Sequence, residues 1–288
     1  MKPLIHLPNT NYINKKIIWI TGLPRSGTTI LGKLIGSCKN VEYIYEPDAL
    51  LPIFFLKNKI SFNNWKMLFE GYFYLDLIRN FLNFRRVNLN KNDDSYYFNY
   101  KENNFKFNLQ PFDIFKKNKN IPRSKIIIKL PNVLEELLNL NKIYKYFKII
   151  SVERNSFEVV DSIIRKKWFK NNTIPRYFPV VEQNSKIYPT WLKKKFYKSW
   201  NTFNEYEKAT FYVLNQKKFS KKNKSVFKIN YEDITTDPKK VVDMIAKKFN
   251  LKITKKTLNI IKKIKKKKHK KIFLERKISK NLINKLKK

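Results

Sequence analysis

The stretch IIWITGLPRSGTTILGKLIG, residues 17–36, decides the reading of this chain. Ile17–Thr21 is a short apolar run rich in β-branched side chains, the composition of a buried strand. Gly22-Leu23-Pro24-Arg25-Ser26-Gly27 breaks it, and from Thr28 apolar residues recur at helical spacing. Strand, glycine loop and helix in succession form a phosphate cradle, because backbone N–H groups and the helix dipole converge on an anion at the helix start. Gly22-x-x-x-x-Gly27-Thr28-Thr29 has the spacing of a nucleotide-triphosphate loop, but Thr28 stands where that loop carries its lysine. Arg25, inside the loop, supplies a planar and bidentate cation instead. With Ser26, Thr28 and Thr29 beside it, the cradle is kept and the lysine that reaches β- and γ-phosphates is not.

Further β-like runs follow at Lys125–Lys129, Phe147–Val152 and, more weakly, Val226–Ile229, with Lys16–Thr21 as the first. Each is followed by a polar break and a helical pattern. Such alternation predicts an α/β fold, a three-layer sandwich with a central parallel sheet of about five strands. Residues 61–120, aromatic and Asn-rich with helical pieces around Trp65–Phe84, read as an insertion over one edge of the sheet. Residues 190–218 read as one long amphipathic helix, with Trp191, Trp200 and Phe203 as core anchors. Residues 252–288 form a basic C-terminal tract. Composition marks no linker, so residues 1–288 read as a single domain.

A triphosphate enzyme also holds Mg²⁺, usually on an acidic residue at the end of a later strand. Here one run ends at Lys129, and another runs out into Glu153-Arg154. Arg154 opens RNSFEVVDS and places Ser162 eight residues on, about two helical turns along one face. An Arg at a strand end and a Ser on the next helix suit a second phosphate. Two phosphate sites without a clear metal carboxylate fit a nucleoside carrying a phosphate at each end.

These residues carry a resemblance. GLPRSGTT resembles the 5′-phosphosulfate loop of the sulfotransferases, and ERNSFEVVDS resembles their 3′-phosphate motif. FKINYEDITTDPKKVVDMIAKKFNLK is similar to a segment near the end of many members. Together the matches cover about residues 16–48, 125–168 and 226–252. The resemblance implies a P-loop-like fold and 3′-phosphoadenosine 5′-phosphosulfate (PAPS) as donor, with no metal. It implies that Arg25, Ser26, Gly27, Thr28 and Thr29 hold the 5′-phosphate, Arg154 and Ser162 the 3′-phosphate, and that Tyr231 packs near the adenine. Glu46 matches the glutamate that the glycan and protein-tyrosine branches use as general base after this helix; Glu42 and Asp48 are its neighbours in the sequence. Lys129 matches the lysine that contacts the transferring group.

Composition bounds the rest. The formal net charge is +41, which favours polyanionic partners unless the excess is drift towards Lys, Asn and Ile codons. Cys38 is the single cysteine and reads as a packed core thiol. The start of the chain has no apolar h-region, and no run is long enough to span a bilayer, so a soluble, cytoplasmic protein is expected. The sulfotransferase resemblance implies an acceptor hydroxyl; glycans, lipids, small alcohols and protein tyrosines all present one, and a glycan or small molecule is expected, with no specific nucleic acid. Two other readings stand beside sulfuryl transfer: a P-loop small-molecule kinase, and a non-enzymatic basic polyanion-binding protein. The lysine-rich region Lys265–Lys271, with His269, reads as a segment that closes over cofactor phosphates or receives an anionic acceptor.

Overall fold

The computed structural model describes residues 5, 7, 10–82, 88–93, 96–101, 125–175, 178–217, 225–264 and 277–287. A short helix α1 (Thr10–Asn14) leads into β1 (Ile17–Gly22), whose first five residues are all buried. They are buried because β1 is the middle strand of a five-stranded parallel sheet. Its neighbours are β3 (Lys125–Lys129) and β4 (Lys148–Glu153). The edges are β2 (Val41–Tyr45) and β7 (Val226–Asn230), giving the order β2-β3-β1-β4-β7. The fold is α/β, with helices on both faces. The four strands expected from the sequence are present within a residue of their expected bounds, and β2 is the fifth.

Side chains of β1 alternate between two cores. Ile17 and Trp19 face a core with Ile126, Ile128 and Ile149. Ile18 and Ile20 face the other with Ile127, Ile150 and Val152. The second core is covered by α2 (Thr28–Gly36), the helix that follows the loop. The edge strand β2 packs closely on this helix: a Cβ at Gly32 would lie 2.3 Å from the Tyr43 hydroxyl oxygen, so only glycine fits there.

The first core is covered by α3 (Leu50–Leu56), α4 (Phe62–Glu70), a π-helical stretch at Gly71–Ile78 and α5 (Arg79–Leu82). Trp65, Phe69 and Phe73 stack in sequence and carry the row on to Trp19 in β1. The described part of the 61–120 segment therefore covers a face of the sheet, not only an edge. Tyr97 and Tyr100 do lie at the edge strand, where Tyr100 meets Tyr43 edge-on. The rest of that segment, from residue 102, lies outside the described residues.

α6 (Leu134–Ile143) follows β3, and α7 (Ser156–Arg165) follows β4. Asn155 caps α7 by accepting from the amides of Phe157 and Glu158. A two-stranded antiparallel hairpin, β5 (Val180–Gln183) and β6 (Lys186–Pro189), stands apart from the main sheet. Its turn residues Asn184 and Ser185 both have positive φ, as a tight two-residue hairpin turn requires.

The long helix expected over 190–218 is broken in two, as α8 (Tyr197–Thr202) and α9 (Glu205–Lys217). The break is a cap. The Asn204 side chain accepts from the amides of Tyr206 and Glu207, while Glu207 accepts from the Asn204 amide. This reciprocal pattern starts a new helix. α7 and α9 share a third core with Trp200 and the fully buried Tyr212.

After β7 come α10 (Tyr231–Thr236), α11 (Pro238–Phe249) and α12 (Lys255–Lys263). Thr254 caps α12 and ties it to α2 through the Ser37 carbonyl at 2.9 Å. α13 (Lys280–Lys287) buries Leu282, Ile283 and Leu286 in the third core. The described parts of the basic tract are thus packed helices. Lys265–Lys271, with His269, lies outside the described residues. Cys38 is buried just past α2, and burial pushes its thiol up to about 11, as a packed core cysteine requires.

Candidate active site

The loop after β1 turns through three positive φ angles, Gly22 (142°), Arg25 (69°) and Gly27 (94°). Gly27 has a second reason to be glycine. A Cβ there would come 2.4 Å from Cδ2 of Tyr231, so that ring is pressed against the loop. No side chain caps α2 at Gly27. The first-turn amides of Thr28 and Thr29 stand at the positive end of the helix, the end that favours negative charge.

Arg154, at the end of β4, is held on every side. Nη1 donates to the Arg25 carbonyl at 2.7 Å, and Nε and Nη2 donate to Glu158 at 3.0 and 2.9 Å. Its guanidinium lies 4.1 Å from the centre of the Tyr231 ring. Ser162, two turns into α7, accepts a hydrogen bond from Arg25 Nε at 3.1 Å. The two motifs expected to hold separate phosphates therefore meet.

Glu46 and Lys129 are brought together by the sheet. Tyr45 and Lys129 are register partners at the ends of β2 and β3, and the Glu46 amide donates to the Lys129 carbonyl at 2.8 Å. The Lys129 ammonium also pairs with the Glu46 carboxylate and lies 4.6 Å from the centre of the Tyr45 ring. Lys129 is 2 % exposed, and burial lowers its pKa although the Glu46 charge and hydrogen bond act to raise it. Asp48 sits nearby, with its carboxyl raised first by burial and then by the Glu46 charge. Glu46 adopts φ +39°, a left-handed conformation that is uncommon outside glycine and asparagine. Such strain is typical where a side chain is aimed for a purpose.

One cleft of about 1080 Å³ joins these groups. It is lined by Arg25, Gly27, Thr28, Thr29, Glu46, Lys129, Arg154, Ser162 and Tyr231, nine of the ten residues singled out in the sequence. Ser26 is the exception. It is fully buried, its amide donates to the Leu23 carbonyl, and its Oγ has no hydrogen-bond partner among the described residues. The loop folds so that Ser26 turns inward behind Gly22, and its side chain does not reach the cleft. Glu42 is also buried, beside Lys101, and is not part of the cleft.

Sequence reasoning missed several lining residues. Lys166 lies one turn past Ser162, and Lys33 one turn past Thr29. Both positions follow from i, i+4 spacing on helices already recognised. Lys193 had no comparable signal. Trp191 packs against Trp200 and Tyr212 as a core anchor should, yet it also lines the cleft with Trp168 and Phe178. Trp200 and Phe203 do lie in the third core. Glu153, the carboxylate ending β4, pairs with Lys228 at 2.9 Å and does not line this cleft.

The set of groups fits a nucleotide with phosphates at two ends: an uncapped helix start, a glycine backed by an aromatic ring, two arginines and a hydroxyl. Among solved structures, the chain is similar to a sulfotransferase domain from the curacin biosynthetic pathway, at 16 % identity and a TM-score of 0.49, covering 89 % of this chain and 78 % of that one. It is similar to the sulfotransferase domain of the Synechococcus olefin synthase at 16 % identity and 0.48, covering 100 % and 96 %. A third is the sulfotransferase STF1 of Mycobacterium tuberculosis, at 13 % and 0.41, covering 90 % and 72 %. No curated protein matches the chain. The model of the sulfotransferase family matches residues 18–255, which hold the loop, Glu46, Lys129, both halves of the Arg154–Ser162 motif and Tyr231, and the chain belongs to that family.

Proposed function

We propose that the chain transfers a sulfuryl group from 3′-phosphoadenosine 5′-phosphosulfate to an acceptor hydroxyl, that of a glycan, without a metal. The observation that supports this reading is the Arg25–Ser162 hydrogen bond, through which the glycine loop and the segment that opens at Arg154 meet in one cleft. Arg25 and the amides of Thr28 and Thr29 hold the 5′-phosphate. Arg154 and Ser162 hold the 3′-phosphate, with Lys166 on the same helix face. Tyr231, between Gly27 and Arg154, packs near the adenine.

When bound, the nucleotide supplies an activated sulfuryl group and departs with a phosphate that is stable on its own. Glu46 takes the proton of the acceptor hydroxyl, the usual task of a carboxylate within hydrogen-bond reach. Lys129, buried and positively charged when paired, stabilises negative charge on the oxygens around sulfur. The cytoplasm suits a chain in which no described helix is long and apolar enough to cross a membrane.

Titration calorimetry with 3′-phosphoadenosine 5′-phosphate, against ATP with Mg²⁺, tests the reading. Tight binding of the bisphosphate with weak binding of ATP is expected. The reverse preference would move the chain to phosphoryl transfer, and binding of neither would leave a basic polyanion-binding protein.

A further inference from the structure

Three aromatic rings of the cleft stand on one buried base. Trp168, after α7, Phe178, just before the hairpin, and Trp191, just after it, all line the cleft, and all three are half-buried. Each packs on the fully buried Tyr212 of α9, with ring centres 6.2, 5.5 and 5.0 Å from it. Trp168 and Phe178 also meet edge-on at 5.6 Å. Hydrogen bonds tie the chain segments at the same place. The Thr190 amide donates to the Pro179 carbonyl at 2.9 Å, and the Asn215 side chain donates to the Trp191 carbonyl at 3.5 Å. The rings therefore form a preformed wall, and the proposed nucleotide site uses none of them.

Polar side chains accompany this wall. Thr190, Lys193, Asn215 and Gln216 line the same cleft. Among the described residues, the side chains of Thr190, Lys193 and Gln216 have no hydrogen-bond or ion-pair partner. Charge is segregated as well. The carboxylates of the cleft, Glu46, Asp48, Glu135 and Glu136, lie outside the Ser162–Gln216 stretch, so a cationic group finds no counter-charge on the wall. A bare aromatic ring would cover the tryptophans but shut the polar side chains away from water without partners, which is unfavourable. A sugar ring meets both demands. Its C–H face lies on an aromatic ring, and its hydroxyls, each donor and acceptor at once, point outward around the edge.

We propose that this wall is a subsite for a sugar ring of the acceptor. Trp168, Phe178 and Trp191 are its stacking platform, and Thr190, Lys193, Asn215 and Gln216 bind the hydroxyls at the ring's edge. The proposal deepens the glycan reading of the acceptor and rests on it. The same cleft holds Glu46 and Lys129, so the ring on the wall is the sugar that reacts or one linked to it. Tyr212 holds the platform in place before any sugar arrives, which lowers the ordering cost of binding.

The test uses the full chain, with and without 3′-phosphoadenosine 5′-phosphate. The probes are a panel of defined oligosaccharides of two to six units, neutral and acidic, and 2-naphthol as a bare aromatic alcohol. Binding is read by tryptophan fluorescence and calorimetry. The best oligosaccharide should shift the tryptophan emission and bind at least about tenfold more tightly than 2-naphthol. Trp168→Leu should weaken it about fivefold to tenfold, and Lys193→Ala with Gln216→Ala by a similar factor. Both variants should keep bisphosphate affinity within about twofold, the sign of an intact fold and of a wall outside the nucleotide site. The double variant, at side chains outside the core, decides where Trp168→Leu fails to fold. No oligosaccharide binding, a preference for 2-naphthol, or full oligosaccharide affinity in the double variant would overturn the subsite. Loss of bisphosphate affinity in the double variant would give the wall to the nucleotide instead. Oligosaccharide binding that these substitutions weaken, in a chain that fails to bind the bisphosphate, would leave the subsite standing and sink sulfuryl transfer.

Discussion

Arg25 Nε donates to Ser162 Oγ across 3.1 Å, joining two segments 137 positions apart in the chain. Arg154 closes the same corner by donating to the Arg25 carbonyl. Both arginines are thus tied by hydrogen bonds near the end of the central strands before any anion arrives. Preorganisation of this kind reduces the ordering cost of binding.

That corner should discriminate between nucleotides. 3′-Phosphoadenosine 5′-phosphate is expected to bind about tenfold to a hundredfold more tightly than AMP, the worth of one charge-assisted contact of about 1.5–3 kcal/mol. Arg154→Ala should remove most of the difference, and Ser162→Ala a smaller part. Calorimetry on the three proteins checks this, and equal affinities of the intact chain for both nucleotides would sink the two-phosphate site.

Glu46→Gln keeps the size of the side chain but not its ability to take a proton. Turnover should fall by roughly 10²–10⁴. Affinity for the product nucleotide should stay within a few-fold, since Glu46 is not placed on a phosphate. Asp48→Asn should be mild by comparison. The measurement is kcat beside calorimetric affinity; a large loss in Asp48→Asn with normal turnover in Glu46→Gln would move the role two residues along.

Gly27→Ala tests the loop itself. The new methyl would meet the Tyr231 ring at 2.4 Å, on a backbone at φ +94°. Strain of about 1–3 kcal/mol is expected in the urea midpoint, together with loss of most nucleotide affinity. Adding Tyr231→Ala should relieve the clash but not the φ strain, so recovery should be partial. Unchanged affinity in Gly27→Ala would show that the loop is not the binding element.

Glu136, in the first turn of α6, predicts a pH dependence of stability. Burial, with the Glu135 charge as a smaller cause, raises its carboxyl to about 7. The folded chain therefore keeps a proton that the unfolded chain releases near pH 4.5. This contribution is fully present below pH 4.5 and is lost as pH rises through about 7. Relative to the wild type, Glu136→Gln should gain on the order of 1–3 kcal/mol at pH 8 compared with its effect at about pH 4. Urea titrations of both proteins at the two pH values decide it; parallel pH profiles would show that Glu136 carries no such proton.

The central strands were legible because burial on both faces leaves continuous apolar runs such as IIWIT and KIIIK. The edge strand VEYIY was not, because two tyrosines and a glutamate break the run, and its burial depends on α2 and on the distant Tyr100. The broken helix over 190–218 shows the opposite failure. Aromatic spacing alone continued the pattern, while Asn204 and Glu207 already spelled a cap. At the site, motif residues were readable singly. That Lys129 would grip Glu46 was not, since the contact is made by register between strands whose pairing no local pattern states.

That register has one more consequence. The chain leaves β2 at Tyr45 and returns to β3 at Lys125, and these strands lie side by side. The pair is parallel, so the excursion between them starts at one end of it and returns to the other, about four strand residues or roughly 13 Å away, and closing such a loop depends only weakly on its length. Phe54, Phe55 and Asn58, which line the cleft, belong to the excursion; Arg25, Arg154, Ser162 and Tyr231 do not. Selection can therefore rewrite one wall of the cleft, by substitution or by wholesale exchange of the excursion, while inheriting the other unchanged. Under the proposed function, the choice of what to modify and the source of the activated group are free to evolve at different rates.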